Sequence, residues 1–573
     1  MVNQYFDFIL YKRWRYILSW LSPVPLVGLV WISPSYGNTL VEQVPSGSLQ
    51  EELSPIGDRC FPAESSCSIP LAQNSLPKYN VERIIVTGST IFGEEELFPI
   101  IDKYSGREVT QEELQFAVDA ITQLYLAREF ITTEAIFDSV STTGVVEIKI
   151  IEGGIEEIRI EGVRNLDPDY IRNRVRLGAT TPLNPRKLEE QLRLLRTNPL
   201  VENIEASLRK GTGLNQSILV VRVTEANPFS AHVNIDNYSP PSVGSEQITV
   251  AATYGNFSGI GDSFSTSYKR TLAGGTNTWD LTYQLPLNAM NGTLKLKSSI
   301  NSNEVIQQPF NNLGIEGKSD LFEIAYRQPL IRNPRQELAL SFGFTYQDGQ
   351  TFLGDEAFGF GIGPDEDGVT TTSVFQFAQD YLRRGQSGVW SLRSQFNLGT
   401  KLFDATENED PTPDGQFFSW SGQIQRVQIL NPNNFLIIQA DVQLTPDSLL
   451  PSQQFVIGGG QSVRGFRQNF LAGDNGIRLS IEDRITLQRD NTGTATFQLA
   501  PFVDAGTVFN KDDNPNPLSQ DDNIIVGIGL GVLLQPLPGL NLRVDYAVPL
   551  TNIENKGNNA QEEGLYFTVN YGL

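Results

Sequence analysis

The chain has 573 residues, with 43 Lys plus Arg against 66 Asp plus Glu for a net charge of −23, and 39% apolar residues. The acid excess argues against nucleic acid as a partner, and the single long apolar run, confined to the N-terminus, argues against a helical multi-span membrane protein. The 50 Gly, 32 Phe and 18 Tyr, beside only 2 Cys and 2 Met, suit a glycine- and aromatic-rich β protein such as an outer-membrane barrel.

At the N-terminus Lys12, Arg13 and Arg15 precede an apolar run over residues 17–32, which Pro23 and Pro25 interrupt. It ends at the small-x-small sequence Ser35-Tyr36-Gly37, so residues 1–37 read as a signal peptide. Residues 38–77 carry Pro45, Pro55, Pro62, Pro70 and Pro77 with many Ser and Glu and no sustained apolar period, which is the composition of a linker. Cys60 and Cys67 lie in this exported stretch, where a local disulfide could close a small loop.

An internal repeat follows. Val81-Glu82-Arg83-Ile84-Ile85-Val86-Thr87-Gly88 matches Ile155-Glu156-Glu157-Ile158-Arg159-Ile160-Glu161-Gly162 position for position, 74 residues later. After each strand comes a short helical stretch (94–104; 167–176) and then a longer amphipathic helix. Leu114, Val118, Ile121 and Leu124 follow Thr110 as cap in the first copy, and Leu188, Leu192 and Leu195 follow Pro185 in the second. Two strands close each copy, at 130–137 and 145–151, then at 204–208 and 218–223. The order β-α-α-β-β predicts two small α/β domains at 78–153 and 154–226. That order and repeat resemble POTRA domains, the polypeptide-transport-associated modules of outer-membrane transporters. The resemblance implies binding of unfolded polypeptide in the periplasm by strand addition at a sheet edge, which presents unpaired N–H and C=O groups. The alternative use of such a pair is a rigid spacer.

From residue 227 to the end the chain reads as a transmembrane β-barrel, with sixteen candidate antiparallel strands from Phe229 onward. Ile524, Val526, Ile528, Leu530, Val532 and Leu534 share one face opposite Gly527, Gly529 and Gly531. Leu540, Leu542, Val544, Tyr546 and Val548 repeat the pattern opposite Asn541, Arg543 and Asp545. Such runs have the length needed to cross a membrane on a tilt. Short turns rich in Pro, Gly and Asn (258–262, 287–292, 328–335, 430–434, 490–494, 535–539) alternate with long connections (302–318, 348–368, 401–414, 510–522, 550–563), as periplasmic turns and external loops do. A barrel of this size encloses an aqueous lumen.

The connection over residues 445–475 holds Val463-Arg464-Gly465-Phe466 behind Gly458-Gly459-Gly460. A fixed cation among apolar residues needs a partner. In the strand at 497–505 the apolar face is Phe497, Leu499, Pro501 and Val503, which puts Asp504 on the lumen face with Gln498 and Phe502. Arg464 folded into the lumen could therefore pair with Asp504 through a forked contact. The two repeats, the sixteen strands, Val463-Arg464-Gly465-Phe466 and Phe502-Val503-Asp504-Ala505-Gly506 together resemble the two-partner secretion outer-membrane transporters of the haemolysin secretion/activation (TpsB) type, over residues 78–573. The resemblance implies a loop locked in the lumen by Arg464 and Asp504, with Val463, Gly465 and Phe466 shaping its tip and Phe502 and Gly506 flanking the anchor on the wall. It also implies a final strand, with Phe567, Val569, Tyr571 and Leu573 on one face, that carries the barrel-assembly signal. The implied partners are a secreted haemagglutinin/haemolysin-like β-helical polypeptide, the barrel-assembly machinery and outer-membrane lipid; the implied place is the outer membrane of a Gram-negative-type cell, with the POTRA-like domains in the periplasm. An assembly factor of the same superfamily is the alternative.

Two features depart from the pattern. Leu573 stands where an aromatic terminal residue is usual, and Asp483 would face lipid if 477–487 alternates strictly, which predicts a bulge or a misregister. The linker is a poor helix candidate, so no plug helix is assigned. Nothing points to an enzyme or a cofactor. His232 is the lone histidine, which excludes a metal cluster built on several imidazoles. Asp355, Glu356, Asp365, Glu366 and Asp367 lack the spacing of a calcium loop, and Gly458-Gly459-Gly460 lacks the Lys-Ser/Thr of a phosphate loop.

Overall fold

The computed structural model describes residues 78–516, 518, 523–552 and 556–573. The signal peptide, the linker and Cys60 and Cys67 lie outside the described residues.

The first α/β unit runs β1 (Lys78–Val81), β2 (Arg83–Thr87), α1 (Glu94–Ile101), β3 (Arg107–Thr110), α2 (Gln111–Ala127), β4 (Glu134–Val140) and β5 (Val145–Ile151). The second runs β6 (Ile155–Glu161), α3 (Pro168–Arg176), α4 (Pro185–Arg196), β7 (Val201–Lys210) and β8 (Ser217–Glu225). Each has a three-stranded sheet, in the orders β2-β5-β4 and β6-β8-β7, with the first strand parallel to the last. The repeat has a steric cause. Gly88 and Gly162 both take positive φ, and a Cβ on either would lie 2.4 Å from a carbonyl oxygen of the neighbouring strand, Ile150 in one copy and Val223 in the other. Thr110 caps α2 in a reciprocal box with Glu113, and Leu114, Val118 and Ile121 are buried beneath it while Leu124 is half-buried. In the second unit Leu188 and Leu195 are buried and Leu192 packs against them.

Two details differ from the sequence reading. The strand expected at 130–137 is displaced to Glu134–Val140, because Phe130 packs under Tyr125 instead of entering the sheet. The ladder of β1 with β3 has no counterpart in that reading. In the second unit, Glu225 accepts backbone N–H bonds from Arg164, Asn165 and Leu166 at 2.7 to 2.9 Å. Burial works to raise its pKa, but these bonds outweigh it and hold the carboxyl below its ordinary range.

The barrel strands are β9 (Phe229–Asp236), β10 (Gln247–Gly255), β11 (Ser263–Thr271), β12 (Thr276–Pro286), β13 (Thr293–Glu304), β14 (Ile315–Arg332) and β15 (Gln336–Leu353), the last carrying the two-residue β16 (Glu356–Ala357). Then come β17 (Val369–Gly385), β18 (Gly388–Thr400), β19 (Phe418–Asn431) and β20 (Asn434–Leu444), followed by the short loop strands β21 (Phe455–Ile457) and β22 (Leu471–Gly473). The last five staves are β23 (Asn475–Arg489), β24 (Ala495–Phe509), β25 (Ile524–Leu537), β26 (Leu540–Pro549) and β27 (Leu565–Gly572). Without β16, β21 and β22, the closed antiparallel barrel has sixteen staves, β27 pairing with β9. The fold is thus mainly β, with the α/β units ahead of a transmembrane barrel.

The staves run further than the sequence reading placed them. β14 continues through a bulge between Pro329 and Ile331 to Arg332, so the turn expected at 328–335 shrinks to 333–335. At the opposite rim β13, β14 and β15 continue past the expected ends into the long connections, whereas β17 starts at Val369, where the expected connection ends. Asp483 does face outward. β23 pairs without a slip from Asn475 to Thr486, and its bulge comes later, between Thr486 and Arg489. Asp483 accordingly sits near the short-turn rim, its Oδ2 accepting from Asn434 Nδ2 at 3.4 Å, where a charge costs far less than at the membrane midplane.

The second α/β unit docks on the short-turn end. Asp167 N donates to Gly259 O at 2.8 Å, Arg174 Nη2 to Asn291 Oδ1 at 3.3 Å, and Gly261 leaves room for the Tyr170 ring, which a Cβ there would meet at 2.1 Å. Short turns and units therefore share one side of the membrane, and the long loops lie on the other.

Candidate functional site

The loop over residues 445–474 descends through β21 and returns through β22, which pair with each other. Its tip turns at Gly458, Gly459 and Gly465, all at φ between +100° and +107°. Val463 and Phe466, both fully buried, close a cluster with Ile457, Phe470, Leu471, Val508 and Ile525.

Arg464 is 5% exposed and Asp504 0%. Arg464 Nε and Nη2 donate to the two carboxylate oxygens of Asp504 at 2.6 and 3.0 Å, and the Arg464 backbone N donates to the same group at 3.2 Å. Ser480 Oγ adds a fourth bond at 2.6 Å. Arg464 Nη1 donates to Glu482 Oε2 at 2.9 Å and lies 3.8 Å from Asp545, while the guanidinium carbon stands 3.2 Å from the centre of the Phe502 ring. Glu482 also accepts from Arg484 Nε at 2.8 Å and Arg543 Nη2 at 2.7 Å, and Arg543 Nε donates to Asp545 at 2.8 Å. Three guanidinium groups thus face three carboxylates, with neither sign in excess, which is the condition under which buried ions survive the loss of water.

The wall is shaped to receive the loop. Gly527 in β25 presses against it: a Cβ there would fall 1.8 Å from the Arg464 carbonyl oxygen. On Gly529 it would meet Phe502 Cζ at 2.4 Å, and on Gly531 the Asp545 carboxylate at 2.2 Å. Gly506 faces Val463 at 3.2 Å by the same measure. Beyond the anchor, Gly465 N donates to Tyr566 Oη at 2.8 Å, and that hydroxyl donates to Phe466 O at 2.7 Å. Arg467 pairs with Glu562 at 3.0 Å and Gln468 N bonds Gln561 at 2.7 Å.

The structure thus brings Val463, Arg464, Gly465, Phe466, Phe502, Asp504 and Gly506 together in the lumen. It does not bring Phe567, Val569 and Tyr571 there: they lie on the outward face of β27, and Leu573 follows the strand, 68% exposed. Sequence reasoning missed Ser480, Glu482, Arg484, Arg543, Asp545 and Tyr566 as members of the site. All have inward parity, and Arg543 and Asp545 already stood out opposite an apolar face. What was lacking is register, which sets Glu482 against Phe502, Gly529 and Ala547 in one row.

A sixteen-stranded barrel with α/β units on its short-turn side and a loop pinned in its lumen defines a class of outer-membrane transporters. A family model described as haemolysin secretion/activation protein ShlB/FhaC/HecB matches residues 215–534, and one for the ShlB-type POTRA domain matches residues 79–153. The chain belongs to this family. The outer membrane transporter CdiB of Escherichia coli is 23% identical over 77% of this chain and 74% of its own length. The heme/hemopexin transporter protein HuxB of Haemophilus influenzae is 21% identical over 88% and 90%. Among solved structures, CdiB from Escherichia coli superposes with a TM-score of 0.66 at 20% identity, covering 88% of this chain and 93% of that one. BamA from Haemophilus ducreyi lacking POTRA domains 1–3 gives 0.53 at 16%, covering 86% and 100%. The protein is a two-partner secretion transporter of the outer membrane, carrying a secreted polypeptide partner through its barrel, with its POTRA region in the periplasm.

Proposed function

We propose that the units at 78–153 and 154–226 are two POTRA domains that capture an unfolded exported partner and feed it into the barrel of residues 227–573, with Arg464 and Asp504 as the lock that holds the lumen loop in place. The observation that carries this reading is the joint placement of the pieces. The second unit is bonded to the short turns at the entry side, and the loop tip lies in the lumen the partner must cross, held by reversible ionic contacts. Among the described residues the edge strands β2 and β4 in the first sheet, and β6 and β7 in the second, pair on one side only, which leaves each a ladder edge to which an extended chain can add without regard to its sequence. The family points to a β-helical haemagglutinin/haemolysin-like partner. Its folding outside supplies the pull, since the sequence carries no nucleotide motif. The outward row Phe567, Val569, Tyr571 with terminal Leu573 is the segment read by the barrel-assembly machinery, and the apolar outer face meets outer-membrane lipid.

Deleting residues 78–226 tests the capture step. The truncated barrel is expected to reach the outer membrane, with heat-modifiable mobility on gels, while its partner no longer appears at the surface. Secretion at the full-length level would refute capture by these units.

A further inference from the structure

Asp474 directly follows the return arm of the lumen loop and is fully buried. Its Oδ1 accepts from Leu449 N at 3.0 Å and Gln454 Nε2 at 3.2 Å; its Oδ2 accepts from Lys511 N at 2.9 Å and Asn514 Nδ2 at 2.7 Å. Among the described residues no cation pairs with it; the Lys511 ammonium turns instead to Asp410 and Asp513, at 3.3 Å each. A buried carboxylate needs hydrogen-bond donors in place of the water it has lost, and here they come from two segments, Leu449 and Gln454 before the loop tip and Lys511 and Asn514 in the connection after β24.

These loops bond to others at the outer rim. Asn516 Nδ2 donates to Ile362 O at 2.8 Å, and Ile362 N donates back to Asn516 Oδ1 at 3.1 Å. Asn408 Nδ2 bonds Gly363 O at 2.8 Å, and Thr406 and Thr371 exchange backbone and hydroxyl bonds at 2.9 Å. Asp414 bridges Leu449, which is fully buried. The connections after β15, β18, β20 and β24 thus form one bonded cap. On the other side of Asp474 the chain runs through Gly473 and Leu471 into the apolar cluster that holds Val463 and Phe466, on either side of Arg464.

We propose that Asp474 is a positioning residue that couples the lumen anchor to the outer cap. Seating of Arg464 holds Leu471 and Gly473 against β24, which presents the Asp474 carboxylate to both loops. Withdrawal of the tip moves the carboxylate away from its donors, and the cap loses the hub shared by its loops. The same linkage runs in reverse, because a coupling free energy between two sites is reciprocal. The inference rests on the lumen-lock reading but not on capture by the periplasmic units.

The test uses two buried serines as reporters, in the full chain with Cys60 and Cys67 changed to Ser and reconstituted in lipid nanodiscs. Ser462→Cys reports on the tip and Ser448→Cys on the cap, being 6% and 7% exposed. Reaction with a small soluble maleimide is timed for each. Asp474→Asn retains one acceptor oxygen and turns an amide toward N–H donors; it is expected to speed labelling of both reporters, roughly five-fold or more. Arg464→Ala is expected to do the same at both, and the double variant to add little to either. Independent behaviour overturns the proposal: Asp474→Asn exposing Ser448→Cys alone with Arg464→Ala exposing Ser462→Cys alone, or unchanged labelling throughout. If Asp474→Asn does not give a heat-modifiable barrel, Asp474→Glu, which keeps charge and acceptors on a longer stem, is read in its place with the same two outcomes. Labelling needs no transported polypeptide, so failure of the coupling and failure of secretion are separate results.

Discussion

At the scale of single residues the site is a network rather than a pair. Parity made the contact between Arg464 and Asp504 legible, because a two-residue period fixes which side of a strand a residue takes. Glu482, Asp545 and Arg543 were not legible as partners, since nothing local specifies which residues of strands far apart in sequence stand side by side. The difference changes what a charge swap should do. A lone pair would be restored by Arg464→Asp with Asp504→Arg. Here Asp504 also accepts the Arg464 backbone N–H and the Ser480 hydroxyl, and a carboxylate at 464 would face Glu482 and Asp545. Arg464→Ala is expected to cost about 3 to 5 kcal/mol at a fully dry site and less in a wet lumen. The swapped protein should be no more stable than Arg464→Ala and should not recover secretion. Barrel melting followed by gel mobility, together with partner secretion, checks this; full recovery would show that the pair acts alone.

Elements explain why the network can form at all. Alternation identified sixteen staves, because a wall that meets lipid on one side and water on the other enforces period two along each strand. It was less informative at the rims, where β14 and β15 continue past the ends that alternation marks and no apolar face is required. The glycines of β25 looked in sequence like a small inner face opposite Ile524, Ile528 and Leu530. In the structure they are the bed on which the loop lies. Gly527 is the most demanding of them, since a Cβ there would come closest, 1.8 Å from a backbone oxygen of the loop itself, which cannot rotate away. Gly527→Ala should therefore unseat the tip although it removes no charge and no hydrogen bond donor. The expected result is loss of secretion with normal membrane insertion, and faster maleimide labelling of Ser462→Cys. Gly493→Ala, in a short turn at the opposite rim, is the control for general barrel damage. Wild-type secretion by Gly527→Ala would mean that the loop has slack against the wall.

Across the whole molecule the wall is uneven, and the anchor sits beside its weakest join. β14 and β15 share seventeen register pairs and β15 and β17 fifteen, whereas β27 and β9 share five, from Thr568 to Gly572. Each pair contributes hydrogen bonds and cross-strand contacts, so opening free energy should be lowest at this seam. The lumen loop compensates there. Tyr566 bonds both Gly465 and Phe466, and Gln561, itself tied to Asn237 O at 2.5 Å and Ser239 O at 2.7 Å, bonds Gln468. The loop thereby spans from β24 to the closing strand and strengthens a join that backbone pairing alone leaves short. Amide exchange by mass spectrometry in nanodiscs should accordingly show β9 and β27 exchanging fastest among the staves, with β14 to β17 slowest. Arg464→Ala should accelerate exchange most at β27 and β9, although its side chain touches neither strand, because releasing the tip removes the Tyr566 and Gln561 contacts together. Acceleration confined to β23 and β24, where Glu482 and Asp504 sit, would mean that the anchor supports only its own wall and that the seam holds by itself.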